Sequence, residues 1–236
     1  MPRFNFRLFT IHDVSSPDIA KRFLEILTTY VPEYAPTVCG KYEPLKLKYP
    51  SQKEKVYSAW QVGLIWKNNK NRSEGNIIHC RGKAPTFLDC SFPISSEHHQ
   101  NFTEFVKKSS VLFDSFFSFG HIFNDEIMVE EDKLLEGLYP HHLELYLPTV
   151  PWSAVFGKEY TKMIGLEKIK SAPYFSTDQL TVESIYCQTT SNIMDCVNNF
   201  QEFQTNRMLI KKSLGMQYFF DPNNPKKNKT TPTFNT

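Results

Sequence analysis

Three stretches of this chain alternate apolar and polar residues, and that period of two narrows the fold more than any other feature. Phe4, Phe6 and Leu8 alternate with Asn5 and Arg7. Val62, Leu64 and Trp66 form a second set, and Leu88, Cys90 and Phe92 a third. Successive side chains of a strand point to opposite faces, so alternation marks a strand with one buried and one solvated face. Ile77-Ile78 starts another strand, reached from the second through the polar turn 68–75. Consecutive strands with tight polar links make an antiparallel meander.

Helical signals lie between the strands. Ser16 is a good N-cap, Pro17 suits the first helical position, and Asp18 favours the positive helix end. Ile19, Phe23, Ile26, Leu27 and Tyr30 follow at helical spacing, and Pro32 stops the run. The strongest helix is expected over 95–120, with Phe102, Phe105, Val106, Ser109, Leu112, Phe113 and Phe116 on one face. Ser95 or Ser96 caps it and Gly120 ends it. Residues 121–129 read as a strand. Leu143, Leu145 and Leu147 read as another, 151–169 as a helix, and 174–188 as a hairpin or strand pair. The last helix runs over 197–214, with Gly215 just past its end. Residues 32–50, with Pro32, Pro36, Pro44 and Pro50, read as an irregular packed connection, and 221–236 as a disordered tail. This order implies an α+β fold, a mostly antiparallel sheet with three main helices packed on it. Residues 1–220 are expected to form a single domain, with a subdivision near Val129 as the alternative.

Composition then excludes several functions. With 27 Lys plus Arg against 25 Asp plus Glu, a net charge of +2 advertises neither a nucleic-acid nor an anionic-membrane surface. Only 9 of 236 residues are Gly, which leaves few places to wrap a phosphate, and 20 Phe supply a large core. The nearest approach to a phosphate loop, Gly75 to Gly82-Lys83, has the wrong spacing and continues with Ala84. No 18-residue apolar run occurs and the first ten residues hold Arg3 and Arg7, so neither a membrane span nor a secretory signal is expected, and a cytoplasmic location is. The five cysteines (Cys39, Cys80, Cys90, Cys187, Cys196) are widely spaced and fit reduced, buried thiols. His98-His99 and His141-His142 are adjacent pairs, poorly placed to chelate one metal ion. No cofactor, metal or catalytic residue is expected.

Two features invite a binding role. Asp125, Glu126, Glu130, Glu131, Asp132 and Glu136 cluster negative charge around one base, Lys133. Such a run is either a solvated turn and helix start or a steering surface for a basic partner. On the expected 151–169 helix, Trp152, Phe156 and Tyr160 fall at i, i+4 and i+8. That stripe is either core or a partly exposed aromatic anchor.

Three motif segments carry a family resemblance. The first is Tyr34 to Leu45, ending in Tyr42-Glu43-Pro44-Leu45. The second holds Trp60, Leu64, Trp66, Lys67, Glu74 and Gly75. The third is Val150-Pro151-Trp152-Ser153-Ala154-Val155-Phe156-Gly157-Lys158-Glu159-Tyr160, continued by Ile164-Gly165 and Ser171-Ala172-Pro173. Their order resembles bacterial immunity proteins of polymorphic toxin systems, most closely the immunity protein 52 family, over residues 30–215. The resemblance implies a cytoplasmic, non-enzymatic α+β protein that binds a cognate protein toxin and neutralises it by occlusion. The Lys/Asn-rich turn and the C-terminal tail depart from the family pattern. Two rival readings remain, an enzyme with a dispersed active site and a structural or regulatory interaction module. Nothing in the sequence sets the oligomeric state.

Overall fold

The alternation at the N-terminus does form a strand: β1 (Arg3–Thr10) buries Phe4, Phe6 and Leu8 completely. The computed structural model describes residues 2–79, 85–94, 99–123, 128–143, 145–224 and 232. They divide into two units, Met1–Ser118 and Phe119–Thr236. The chain is an α+β protein, and every strand pair whose register the structure gives is antiparallel.

In the first unit, β1 leads into α1 (Pro17–Tyr30), where the Ser16 side chain accepts the Ile19 N–H as expected of an N-cap. The proline-rich connection holds a 3₁₀ turn and two short strands, β2 (Val38–Gly40) and β3 (Leu47–Lys48). Next comes α2 (Lys53–Trp60), a helix the sequence reading omits, although Val56, Tyr57 and Trp60 are buried at helical spacing. The meander is β4 (Leu64–Asn68), β5 (Ser73–Ile78) and β6 (Thr86–Pro93). It starts after Gly63, whose φ of +103° turns the chain, so Val62 lies outside the strand and is exposed. The strand order is β3-β2-β4-β5-β6-β1.

The unit closes with α3 (His99–Leu112), which is shorter than the 95–120 helix expected. It breaks at Asp114, in the left-handed region at φ +45°, and residues 117–123 pair as a strand instead. Ser95 and Ser96, the expected caps, lie outside the described residues. Aromatic rings weld the layers together. Phe23 of α1 contacts Trp60 of α2, Trp66 of β4, Phe105 of α3 and Phe113, with ring centroids between 5.5 and 6.2 Å apart.

The second unit contains β7 (Phe117–Phe123), which spans the unit boundary, α4 (Glu130–Glu136) and α5 (Pro140–Leu143). Among the described residues the expected strand over Leu143, Leu145 and Leu147 does not form. Leu145 N–H and Tyr146 N–H both turn back to the His142 carbonyl, and only Leu147 bridges, to Phe219. The expected 151–169 helix is instead a strand and two helices: β8 (Ser153–Phe156), α6 (Lys158–Ile164) and α7 (Leu166–Ser171), the last two parted at Gly165 with φ +99°. β8 is buried on both faces, so its residues read as a continuous apolar run that periodicity cannot assign. The hairpin appears as β9 (Ser176–Thr181) and β10 (Ser184–Gln188), in the order β7-β8-β10-β9. Then come α8 (Asp195–Asn198) and the expected last helix, α9 (Phe200–Leu214), ended by Gly215 at φ +113°. Of the expected tail, residues 225–231 and 233–236 lie outside the described residues. Among the described residues no helix is long and apolar enough to cross a membrane.

The motif glycine of the meander has a specific use. Gly75 faces Trp66 across the β4–β5 pair, and a Cβ built there would lie 2.3 Å from the indole and 2.7 Å from the Asp89 carbonyl oxygen. The ring occupies the space a side chain would need. Gly75→Ala should therefore overpack the sheet and lower unfolding stability by about 1–3 kcal/mol, read from the midpoint of a urea titration. An unchanged midpoint would mean that the ring moves aside freely.

Candidate interaction site

The inward stripe of α9 holds two cations. Phe203, Arg207, Ile210, Lys211 and Leu214 are all buried, and the spacing is that of one helix face. Each cation meets a carboxylate from the first turn of α4. Arg207 Nη2 donates to Asp132 Oδ1 at 2.5 Å, and Lys211 Nζ donates to Glu131 Oε1 at 2.7 Å. The other two guanidinium nitrogens of Arg207 are hydrogen-bonded too: Nε reaches the Val150 carbonyl at 2.6 Å and Nη1 reaches Gln204 Oε1 at 3.3 Å. The guanidinium also lies 4.7 Å from the Phe203 ring centroid, and Lys211 Nζ lies 5.6 Å from that of Phe219.

His121 of β7 completes the cluster. Its Nδ1 accepts the Trp152 backbone N–H at 3.2 Å, which leaves Nε2 as the protonated nitrogen. Nε2 points at Asp132 Oδ1, 3.6 Å away, and lies 3.3 Å from Arg207 Nη2. Two donors thus converge on one carboxylate. Burial raises the pKa of Asp132, but the His121 hydrogen bond and the Arg207 charge outweigh it, and the carboxyl stays ionised well below its usual range. Burial pushes His121 down, against the pull of Asp132, so the imidazole is neutral. Burial likewise lowers Lys211, with Glu131 opposing.

Cys196 Sγ lies 3.7 Å from His121 Nδ1, so cysteine, histidine and aspartate stand in the order of a nucleophilic triad. The chemistry does not follow the order. Nδ1 already accepts a backbone proton, and burial pushes the thiol far above its ordinary value, with Asp132 adding to the rise and Arg207 opposing it. A neutral buried thiol beside an occupied nitrogen is not an activated nucleophile. The other described cysteines behave alike: burial pushes Cys39 up to about 12 and drives Cys90 and Cys187 higher. Among the described residues no group of three or more His, Cys, Asp or Glu is placed to hold a metal ion.

What the cluster does is fix α4. With Glu131, Asp132 and Leu135 turned inward, helical geometry turns Glu130, Lys133 and Glu136 to solvent. After α4 in the chain comes a row of rings. Tyr139 and His141 stack at 6.2 Å with 9° between planes, and His141 and His142 lie 4.1 Å apart. His142 stacks on Tyr146 at 6.4 Å, and Tyr146 meets Phe220 at 5.0 Å. Tyr139 is 52% exposed and Leu145 48%. The row is fastened from within, because His142 Nδ1 accepts the Tyr139 backbone N–H.

The acidic segment is therefore split. Asp132 is buried and Glu131 half-buried, both in ion pairs, so neither belongs to a free acidic patch. Glu130 and Glu136 are exposed, and Asp125 and Glu126 lie outside the described residues. Trp152, Phe156 and Tyr160 do not share a helix face. They lie before β8, at its end and on α6, and all three are buried. Trp152 Nε1 donates to the Thr190 carbonyl and Tyr160 OH to the Leu143 carbonyl, which makes the trio part of the interior rather than an exposed anchor. Sequence reasoning missed Arg207, Lys211 and Tyr139. The signal for the two cations was their place at i+4 and i+8 from Phe203.

Neither a family model nor a curated protein matches the sequence. Solved structures do match in fold. One is the Pseudomonas aeruginosa T6SS protein PA0821, at a TM-score of 0.61 and 11% identity, with the match covering 91% of this chain and 72% of that one. At that identity the likeness is one of fold, shared with a protein of a bacterial secretion system.

Two outcomes test the cluster. Arg207→Met should cost about 3–5 kcal/mol in urea unfolding, because it leaves the Asp132 carboxylate buried without its cation. Adding Asp132→Asn should recover part of that loss, and a double variant no more stable than the single would refute the pairing. The second outcome concerns pH. His121 titrates lower in the folded state than its unfolded value of about 6.5. The stability it contributes is thus complete above that pH and lost as pH falls through the folded value. His79 and His142 are shifted in the same direction. Asp132 adds a loss only in stronger acid, below its unfolded pKa of about 3.9. Tm should therefore drop between pH 7.5 and 5, and His121→Gln should shrink the drop while lowering Tm at pH 7.5.

Proposed function

We propose that this chain is an immunity protein of a bacterial toxin system, acting in the cytoplasm to bind a cognate protein toxin and neutralise it by occlusion. The observation that carries the reading is the likeness in fold to a type VI secretion protein over 91% of the chain. The motif segments around Glu43-Pro44, Trp60–Gly75 and Trp152–Tyr160 support it, because they resemble those of the immunity protein 52 family. The site adds a physical reason. Exposed tyrosines are typical binding hot spots, and here Tyr139 follows shortly after α4, on which Glu130 and Glu136 are exposed. Glu130 and Glu136 would steer a basic toxin surface, and Tyr139 with its neighbouring rings would bury the contact.

The test is genetic and then biochemical. The reading frame beside this gene should arrest growth when expressed alone, and co-expression of this chain should relieve the arrest. Persistent arrest with both proteins present at equal levels would count against the reading. Tyr139→Ala should weaken the complex at least tenfold in calorimetry, and unchanged affinity would remove Tyr139 from the interface.

A further inference from the structure

His121 has no position left for a second proton. Its ring is buried, with Phe203 stacked 5.7 Å from it and Phe123 edge-on at 5.0 Å. Nδ1 accepts the Trp152 N–H at 3.2 Å, and the Cys196 thiol of α8 lies 3.7 Å from the same atom. Nε2 faces Asp132 of α4 and, 3.3 Å away, Arg207 of α9. Among the described residues these are the titratable and charged groups against the ring, and the Lys211–Glu131 pair follows one turn along α9. A proton added at Nδ1 would set two donors against each other across 3.2 Å. It would also leave two cations, imidazolium and guanidinium, on the single Asp132 carboxylate. The closed arrangement therefore excludes a proton that an imidazole in water takes up near pH 6.5, or about that value.

Of the elements around the ring, α4 is the one held mainly by charge. α9 also buries Phe203, Ile210 and Leu214, and β7 is paired within the sheet. α4 has seven residues, of which Leu135 alone is both apolar and buried, and no side chain caps its start. Its other inward contacts are the Asp132–Arg207 and Glu131–Lys211 pairs. Short elements with few buried apolar contacts open locally before a molecule unfolds. Moving α4 away uncovers the Nε2 edge of His121, so that the ring can turn from the Trp152 N–H and take up a proton in water. A state that binds one more proton gains up to about tenfold in population per pH unit below the ring's free value of about 6.5, until the closed ring itself titrates. The closed state is favoured above that pH, and the open one gains as pH falls.

We infer that His121 is a proton-operated latch on α4: acid releases this helix, with Glu130 and Glu136 on it, while the rest of the second unit stays folded. The latch needs no toxin to be observed. Hydrogen–deuterium exchange read by mass spectrometry, corrected for the pH dependence of free amides, follows it in the full chain. Between pH 7.5 and 5.5 the open fraction of α4 should rise by about fivefold or more. At pH 5.5 that exchange should change by less than about twofold between 0 and 1 M urea, whereas exchange of α9 should climb, because local opening exposes little surface. His142→Gln should keep the pH response and His121→Gln should remove it. No rise in the wild-type chain, a rise that survives in His121→Gln or vanishes in His142→Gln, or a urea response of α4 equal to that of α9 would each overturn the inference. Should His121→Gln not fold, the wild-type chain decides alone. The imidazole NMR signal of His121 should titrate below about 6.5, and a midpoint at or above that value would overturn the latch.

Discussion

The second unit depends on one buried contact, the Arg207–Asp132 ion pair. Two charges withdrawn from water are costly, and here the cost is offset because each of the three guanidinium nitrogens has an acceptor: a carboxylate, a main-chain carbonyl and an amide. The pair is also directional. Arg207 is on α9, Asp132 on α4, His121 on β7 and the accepting carbonyl at Val150 just before β8, so four segments distant in sequence meet at one guanidinium. A hydrophobic substitute would fill the same space without fixing how α4 is rotated about its axis. Buried polar networks set geometry in this way even where they add little net stability.

The first unit shows how much a sequence can reveal when burial is one-sided. β1, β4 and β6 each keep one face in the core, so alternation is visible and the strands lie where Phe4, Trp66 and Cys90 place them. The cap of α1 was legible for a local reason as well, since Ser16 and Pro17 act on the next few residues alone. Legibility ends where burial is all-round or where a polar residue faces inward. β8 is apolar on both faces and passes for helix. α9 was found, but its inward face was not, because Arg207 and Lys211 look like solvent residues until their carboxylates are known. The same blind spot made Asp125 to Glu136 read as one patch, whereas helix geometry sends Glu131 and Asp132 in and Glu130 and Glu136 out.

The motif residues divide in a parallel way. Trp60, Trp66 and Gly75 serve the core of the first unit, and Trp152, Phe156 and Tyr160 that of the second. Such residues serve the architecture, and a solved neighbour shares the fold at 11% identity.

The split orientation of α4 has a consequence for how this protein can diversify. Its inward carboxylates are locked to α9, and changes there jeopardise folding. Its outward positions, Glu130, Lys133 and Glu136, are exposed. A single seven-residue helix thus separates a part that heredity must keep from a part it is free to rewrite. The charges α4 presents can thus change one residue at a time, without rebuilding the scaffold that presents them.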